Sequence, residues 1–281
     1  MPELPEVETI RRDLISRAVG HNFAKVTVFD PNALLTHSST EFCRKLQAKS
    51  ITDIRRRGKY LLILLSNGET LILHLKMTGF LQTTRNGSNY VNSYTRASFC
   101  LTNGDEIHFC DKRRLGKIWL VENENEVIGK LGPEPLEKQF TPDLLGQLLK
   151  LRNVAIKALL CDQNLIAGIG NMYADEALFA ARLHPLTKGT SLTDKQINQL
   201  HDAIVEVLKS AIGNGGASVD TYQRPGGELG FAQFFFKVAH RSGEFCLVCN
   251  SSIQRIAVRG RGTYYCPYCQ QQHQSCDTPI T

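Results

Sequence analysis

The first apolar pattern along the chain has the period of a helix. Val7, Ile10 and Leu14 recur at spacings of three and four residues, and Ala18 continues the same face. Gly20 follows as a plausible C-terminal cap, because glycine accepts the left-handed conformation that ends many helices. The pattern predicts an amphipathic helix at the beginning of the chain.

Two hairpins are predicted next, because apolar runs lie on both sides of an Asn-Gly pair. The runs and the pairs between them are 60–65, Asn67-Gly68 and 70–75, then 98–101, Asn103-Gly104 and 106–109. Asn-Gly accepts the positive φ angles of a type I′ turn. The region up to about residue 122 is therefore predicted to be a mostly antiparallel β domain with a leading helix.

Beyond residue 122 the pattern changes from strands to helices. Residues 123–140 form a polar linker. Thr141-Pro142 predicts a helix start, since the hydroxyl can cap and proline fits the first turn. Thr193 and Gln196 have the spacing of a capping box before a longer amphipathic helix. Between these two starts, Gly168-Ile-Gly170-Asn171 forms a turn that opens another helix.

Four of the nine cysteines have the spacing of a metal site. Cys246 and Cys249 form one Cys-x-x-Cys pair, and Cys266 and Cys269 form a second one sixteen residues later. Two such pairs around a hairpin-length insert bring four thiolates within tetrahedral reach of one Zn²⁺. The alternative is two redox-active dithiols. Four further cysteines lie among apolar neighbours and are predicted to be buried thiols: Cys43, Cys100, Cys110 and Cys161.

Composition and charge narrow the class of protein. An apolar content of 42% and a charged content of 21% exclude a disordered chain. The longest apolar runs fall short of the ~20 residues of a membrane span, and the N-terminus lacks signal-peptide features, so we expect a soluble intracellular protein. The net charge is only +6, but residues 50–120 hold eleven Lys and Arg against five acidic residues. This excess favours a polyanionic partner, with a solvated basic face as the alternative.

Three local features agree with a nucleic-acid partner. The glycine turn before Asn171 directs the N-terminal end of a helix outwards, which suits a phosphate, although such turns also occur purely for packing. Lys59 follows a run of three arginines and precedes a strand. Met77 and Leu115 are apolar residues in charged turns, where they could insert between bases; the alternative is that both belong to the core.

Several motifs taken together carry a resemblance to a known family. They are Pro2-Glu3-Leu4-Pro5-Glu6-Val7-Glu8, Gly58-Lys59-Tyr60, the Met77 turn, and the segments 111–116, 131–136, 167–176 and 266–270. In this order they resemble formamidopyrimidine-DNA glycosylase, a base-excision repair enzyme that removes oxidised purines and cuts the resulting abasic site. The resemblance implies an α+β multidomain protein. Its parts would be a catalytic β-sandwich (1–122), a linker (123–140), a helix–two-turn–helix domain with a lesion-capping loop (141–230), a zinc-finger β-hairpin (231–271) and a tail (272–281).

The resemblance also implies catalytic roles. After removal of Met1, Pro2 would carry a free secondary amine. An α-amino group has a pKa of ~7.7–8.0, against ~10.4 for the lysine side chain. Roughly a tenth of such α-amino groups is therefore unprotonated and nucleophilic at pH 7. This amine would attack the sugar C1′ and form a Schiff base that undergoes β- and δ-elimination. Glu3 would act as the acid and base. Lys59 would contact phosphate and assist β-elimination, and Arg261 would contact the backbone and assist δ-elimination.

Further DNA contacts follow from the same resemblance. Asn171 would hold a phosphate. Met77, Arg113 and Leu115 would fill the gap left by the flipped-out nucleotide, with Arg113 pairing with the orphaned base.

The chain departs from the family pattern at four places. Leu115 stands where the family usually has Phe, and Tyr94 falls where a DNA-contacting His is expected. Asn153, before a helix predicted over 154–160, lies near a position that is often basic in relatives. Asp220 lies in the lesion-capping loop, where a basic residue is expected.

The expected function is therefore excision of oxidised purines, with one structural Zn²⁺ as cofactor and damaged double-stranded DNA as partner. We expect a monomer without membrane association, in the cytoplasm of a bacterium and associated with its nucleoid. One alternative is an endonuclease VIII-type glycosylase for oxidised pyrimidines, although those enzymes typically begin Pro-Glu-Gly-Pro and this chain has Leu4. Another is a non-catalytic zinc-ribbon protein that binds DNA.

Overall fold

A computed structural model describes residues 1–85 and 91–272 of the chain. It divides into two compact units, one of residues 1–131 with 210–234, the other of residues 132–209 with the chain from 235 onwards. Residues 210–234, assigned above to the helical domain and the finger, thus group with the N-terminal unit. The domain bounds given above stay a prediction, and the predicted tail lies outside the described residues except for Gln272.

The first unit consists of two antiparallel sheets and three helices. Its helices are α1 (Leu4–Ala18), α2 (Ser39–Leu46) and α3 (Asn125–Ile128). Its strands are β1 (Phe23–Val28), β2 (Ile51–Arg57), β3 (Tyr60–Leu65), β4 (Thr70–His74), β5 (Gly79–Arg85), β6 (Thr95–Leu101), β7 (Asp105–Asp111) and β8 (Lys117–Val121). The sheet orders are β1-β6-β7-β5 and β2-β3-β4-β8. The predicted leading helix and antiparallel β fold are confirmed.

Apolar side chains cover both faces of β3, which explains why this strand has no polar position. Leu61, Ile63 and Leu65 belong to the main core, together with the apolar face of α1. Leu62 points to the opposite face, where it joins a second cluster that includes Ile128 of α3. Side chains alternate across a strand, so a strand covered on both faces must be apolar throughout.

Both Asn-Gly hairpins are present, but the predicted type I′ turns are wrong. Only the glycines, Gly68 and Gly104, have positive φ, at 86° each. Their N–H groups donate to Leu65 O and Leu101 O, both at 3.0 Å, which closes a turn one residue longer than a two-residue loop. Asn103 Oδ1 accepts from Asp105 N at 3.0 Å. The asparagines therefore act through their side chains in three-residue loops with glycine in the left-handed position.

The second unit is helical, followed by a hairpin. Its helices are α4 (Pro142–Leu149), α5 (Ile156–Leu160), α6 (Asn171–Ala180) and α7 (Asp194–Gly213), whose last turn falls in the residues of the first unit. The predicted caps are confirmed: Thr141 accepts from Leu144 N, and Thr193 and Gln196 bond reciprocally.

Helix α5 begins two residues later than the predicted helix. Ala155 instead forms an antiparallel bridge with Lys188, and Gly189 N donates to Val154 O at 3.0 Å. These bonds hold residues 154 and 155 in an extended conformation, so the helix begins only at Ile156.

The finger hairpin consists of β9 (Gln254–Val258) and β10 (Arg261–Tyr265). Its turn is formed by Arg259 and Gly260, which both have positive φ, at 46° and 76°. This pair of angles is typical of a type I′ turn. Arg261 is consequently the first residue of β10, opposite Val258. No helix within residues 1–85 and 91–272 is long and apolar enough to span a bilayer.

Candidate active site and nucleic-acid interface

The N-terminal segment is fixed against the first unit. Pro2 is buried and Glu3, the N-cap of α1, is 1% exposed. Glu3 N donates to Glu6 Oε2 at 2.7 Å, which closes a capping box at the helix start. Pro5 fits the first turn because the N–H that it lacks has no partner within a helix there. The predicted nucleophile and its acid/base partner are therefore buried directly before the first turn of α1.

Glu6 also holds the beginning of the segment predicted to cap the lesion. Its Oε1 accepts from Ala217 N at 2.8 Å, and the side chain is 0% exposed. Gly216 has φ +77°, and a Cβ there would lie 2.9 Å from Glu6 Oε1 and 3.1 Å from Tyr222 Cε1. One buried carboxylate thus ties residue 217 to the start of α1. Sequence analysis missed this role, because nothing local marks Glu6 as an acceptor for residue 217.

Three further contacts anchor the same segment within the first unit. Arg224 binds Asp13 with two nitrogens, at 2.9 Å and 2.6 Å. Gln223 Nε2 donates to Gln82 Oε1 at 2.8 Å. Asp220, the acidic departure in this segment, is exposed. The segment is thus held at its base and along its middle, while Asp220 faces solvent.

Lys59 lies between Gly58, which has φ +57°, and the first residue of β3, and it is 6% exposed. Of the preceding arginines, Arg55 pairs with Glu124 at 2.8 Å and Arg57 donates to Leu131 O at 2.9 Å. Arg56 bonds to Glu8 Oε2 at 3.3 Å. These three arginines therefore have partners within the protein, so part of the basic excess seen in the sequence is internal.

The Glu8 carboxylate of α1 accepts hydrogen bonds from several arginines, Arg56 among them. Burial alone would raise the pKa of its carboxyl, but hydrogen bonds from Arg11 and Arg12 outweigh that effect and lower the pKa to about 2. Arg11 bonds through two nitrogens, at 3.0 Å and 2.8 Å. The carboxylate is therefore ionised throughout the neutral range.

His74 is a candidate that sequence analysis passed over. It ends β4 opposite Tyr60, with ring centroids 4.5 Å apart, and its Nδ1 accepts from Lys76 N at 3.0 Å. Burial, with Lys76 and Lys59 nearby, lowers its pKa to about 3, so the ring is neutral and its proton is on Nε2. The only sequence signal was a polar residue at the end of an apolar strand.

The predicted wedge residues are exposed, which excludes the alternative that they belong to the core. Met77 is 42% exposed in the turn between β4 and β5, and Leu115 is 38% exposed between β7 and β8. Arg113 is exposed beside Leu115. Tyr94, just before β6, is 40% exposed, and its carbonyl accepts from Asp111 N at 2.8 Å. All four residues belong to the first unit.

In the second unit, Asn171 lies next to Arg261. Asn171 begins α6, and its Nδ2 donates to Gly262 O at 2.7 Å. Arg261 is exposed. Lys157, which is 1% exposed, supports this helix start through bonds of 2.5 Å to Asn171 O and to Asp175 Oδ1. Asn153 is exposed in the turn before α5 and is brought into none of these contacts.

Two neighbouring carboxylates of helix α6 accept hydrogen bonds from backbone N–H groups of the finger. Asp175 Oδ2 accepts from Tyr264 N of β10 at 3.1 Å. Glu176 accepts from the N–H groups of three consecutive residues, 237 to 239, at 2.8–3.0 Å. Burial raises the pKa of Glu176, and these donors oppose that rise because they favour the ionised form.

The four predicted metal ligands converge. The Sγ atoms of Cys246, Cys249, Cys266 and Cys269 all lie within 4.8 Å of one another. Tetrahedral ligands at ~2.3 Å from zinc are about 3.8 Å apart, so this donor set fits one Zn²⁺. Val248 N and Cys269 N also point at Cys246 Sγ and Cys266 Sγ, at 3.5 Å and 3.4 Å. The finger holds one structural zinc ion through these thiolates.

The other cysteines are less uniformly buried than predicted. Cys110 and Cys161 are buried, whereas Cys43 and Cys100 are half-buried. The prediction for the last two is therefore wrong in degree.

Two antiparallel sheets with a proline-led helix, a helix opened by a glycine turn, and a four-cysteine hairpin define an α+β protein with a zinc finger. Profiles for three domains match in this order: the formamidopyrimidine-DNA glycosylase N-terminal domain over residues 1–118, its H2TH domain over 131–223, and the zinc finger found in FPG and IleRS over 243–272. The chain belongs to the formamidopyrimidine-DNA glycosylase family.

Relatives and solved structures agree with this membership. The formamidopyrimidine-DNA glycosylase of Chloroflexus aurantiacus is 43% identical over 96% of this chain and 98% of its own length. That of Pelotomaculum thermopropionicum is 42% identical over 96% and 99%. A Lactococcus lactis FPG variant bound to Fapy-dG-containing DNA has a TM-score of 0.90 at 36% identity, covering 96% of this chain and 100% of that one. The Lactococcus lactis Fpg complex with abasic-site DNA has the same TM-score at 35% identity and the same coverage.

Proposed function

We propose that this protein excises oxidised purines from DNA and cleaves the abasic site through a Schiff base on Pro2. The observation that carries the proposal is the N-terminal segment, in which Pro2 is buried and Glu3 closes a capping box with Glu6. A nucleophile works best when its supporting groups hold it in place before the substrate arrives. The similarity to glycosylases bound to Fapy-dG and abasic-site DNA supports the substrate class.

The proposed chemistry begins when removal of Met1 exposes the Pro2 nitrogen. This nitrogen forms a bond to C1′, the bond from C1′ to the base breaks, and the base leaves with a proton. Glu3 protonates the sugar ring oxygen, and the ring opens to an iminium. Loss of the C2′ proton then expels the 3′ phosphate, and a second elimination expels the 5′ phosphate.

Cationic and hydrogen-bonding groups of both units would hold the DNA backbone. Lys59 and the neutral Nε2–H of His74 lie near each other in the first unit and would bind phosphate. Asn171 and Arg261, joined through Gly262 in the second unit, would bind backbone as well. Met77, Arg113 and Leu115 would fill the space of the extruded nucleotide, while Tyr94 and Asn153 would make outer DNA contacts.

Borohydride trapping tests the nucleophile. We expect Pro2→Gly to lose most of the covalent adduct with abasic-site duplex and to keep nearly all of its DNA affinity. Mass spectrometry of the wild-type protein should show loss of Met1, and Lys45→Ala is a control that removes a lysine outside the proposed site. If Pro2→Gly traps as efficiently as the wild type, proteolytic mapping of the wild-type adduct decides between the N-terminal amine and a lysine; DNA attached to a lysine, with Lys59 the first to examine, would contradict the proposal.

We further propose that the protein acts as a monomer in the bacterial cytoplasm and associates with the nucleoid. Its relatives come from bacteria, and two compact units with one finger provide a complete set of the proposed residues in one chain. Light scattering at micromolar concentration should give the mass of one chain. A fluorescent fusion in a bacterial host should follow the DNA stain, and a dimer mass or an even cytoplasmic signal would contradict these points.

A further inference from the structure

Asp111 is a buried residue at the end of β7 on which the DNA-facing turns of the first unit converge. It is 0% exposed, and its backbone is bonded on both sides. Asp111 N donates to Tyr94 O at 2.8 Å. Asp111 O accepts from Nε and Nη2 of the buried Arg96, at 2.9 Å and 2.8 Å. The position of its side chain is therefore fixed before any contact with DNA.

The Asp111 carboxylate binds the turns that carry the proposed wedge. Its Oδ1 accepts from Thr78 Oγ1 at 2.5 Å and from Arg113 N at 3.1 Å. Its Oδ2 accepts from Leu115 N at 2.7 Å and from Gly116 N at 2.6 Å. Thr78 Oγ1 also accepts from Arg113 N at 3.1 Å. One carboxylate thus joins the turn after β4, which presents Met77, to the turn after β7, which presents Arg113 and Leu115.

The turn after β7 needs this support, because its backbone conformation is costly. Arg114 has φ +58°, a left-handed conformation that side chains other than glycine seldom adopt. At Gly116, a Cβ would lie 2.5 Å from Phe109 Cζ and 3.2 Å from Asp111 Oδ2. Four hydrogen bonds to a buried anion offset the strain, and charge-assisted bonds are stronger than neutral ones.

We propose that Asp111, together with Thr78, is the positioning residue that preforms the wedge and thereby sets selectivity for the base opposite the lesion. The inference rests on the proposed function, because it assigns Asp111 a role through Met77, Arg113 and Leu115. A wedge that is already shaped loses little conformational entropy on binding. A guanidinium that reads a base edge must also be held to within a fraction of an ångström.

The test is the ratio of excision rates opposite cytosine and opposite adenine, measured in single turnover on duplexes with one 8-oxoguanine. In Asp111→Asn, the Nδ2 group is a donor that faces backbone N–H groups, so the turn loses acceptors while its volume is kept. We expect the cytosine preference to fall about fivefold to tenfold. Borohydride trapping on single-stranded abasic DNA, which has no opposite base, should stay within about twofold of the wild type.

Three controls distinguish positioning from general loss of structure. Asp105→Asn removes a buried carboxylate from the other end of β7, where it pairs with Arg17 and Arg85 at 3.7 Å, and should leave the ratio unchanged. Thr78→Ser keeps the hydroxyl and should keep the ratio, whereas Thr78→Val should lower it. Adding Asp111→Asn to Arg113→Ala should cause no further loss of preference.

The outcomes separate the two proposals. If Asp111→Asn retains the wild-type ratio, or if Asp105→Asn lowers it equally, the positioning role is wrong. If Asp111→Asn does not fold, Thr78→Val carries the test, and an unchanged ratio in that variant overturns the inference. A wild-type protein that neither traps abasic DNA nor excises 8-oxoguanine would instead remove the proposed function itself.

Discussion

Replacing Glu6 by glutamine tests how far the N-terminal segment, which carries the proposed nucleophile, depends on one buried carboxylate. Glu6 accepts from Glu3 N at 2.7 Å and from Ala217 N at 2.8 Å, and the side chain is 0% exposed. In Glu6→Gln, one of these two N–H groups would face an amide NH₂ group instead of an oxygen. The variant therefore loses a charge-assisted bond and leaves a buried donor unsatisfied.

The magnitude follows from these two losses. A hydrogen bond to a charged group contributes about 1.5–3 kcal/mol, and an unsatisfied buried donor costs about 1–3 kcal/mol. The two figures partly count the same lost hydrogen bond, and the chain can shift locally to relieve the buried donor. We therefore expect the first unit to lose about 2–4 kcal/mol of unfolding free energy, which is less than their sum. The loss should also slow excision, since Glu3 and residue 217 are no longer held by the same group.

The assay uses the single tryptophan of the chain. Trp119 lies in β8 of the first unit, so its fluorescence in a urea titration reports unfolding of that unit. Single-turnover excision, measured well below the transition, gives the rate of the folded variant. The matched control is Glu69→Gln, which removes a carboxylate bonded to Lys45 and Asn67 in the same unit. The control should lower stability and leave the excision rate unchanged.

For Glu6→Gln itself, two results would refute this reasoning. One is a Glu6→Gln protein as stable as the wild type, which would mean that the buried amide finds other partners. The other is a folded variant with an unchanged excision rate, which would separate Glu6 from catalysis. A parallel loss of rate in Glu69→Gln would also contradict the argument, because the effect would then belong to stability alone.

Three further predictions concern charge and metal. Arg261→Ala should weaken binding to all duplexes equally and flatten the slope of log K against log salt by about one unit. Arg113→Ala should keep this slope and lose the preference for the base opposite the lesion. Binding isotherms at several salt concentrations check both variants. Cys249→Ser should lose zinc and DNA affinity together while Trp119 fluorescence stays native, which metal analysis and binding measure. The pKa of Glu8 is lowered to about 2, so the stabilisation that its ionised carboxylate gives the folded state is present above about pH 4.5 and is lost as the pH falls through 2. The wild type should therefore lose on the order of 2 kcal/mol of unfolding free energy between pH 5 and pH 3, and Glu8→Gln should lack this loss. Urea titrations at both pH values measure the difference.

Features that depend on neighbouring residues could be predicted from the sequence. The cysteine spacing indicated the finger because two ligands come shortly before the β9–β10 hairpin and the other two directly after it. The caps at Thr141 and Thr193 were predictable because an N-cap bond spans only three residues. The hairpins were found through Asn-Gly, but the turn type was wrong, because an asparagine side chain bonds to its own turn in more than one way.

Features that depend on distant pairs could not be predicted in this way. Glu6 accepts from residue 217, and Asp111 joins turns that follow two different strands. Both are acidic residues in polar surroundings, where the sequence indicates only solvent exposure. The start of α5 was also misplaced, since the extended conformation of residue 155 depends on pairing with Lys188. In each case the deciding hydrogen bond comes from a part of the chain that no local pattern identifies.

The bonds from α6 to the finger define what can be exchanged between relatives. The finger profile covers residues 243–272, yet Asp175, Glu176 and Asn171 of α6 bind its hairpin and the chain leading to it. A graft of the finger alone into a host helix without carboxylates at positions 175 and 176 would leave those backbone donors unsatisfied. The unit that can be exchanged is therefore discontinuous in sequence. It comprises the finger and helix α6, some sixty residues upstream, because hydrogen bonds from α6 hold the two together.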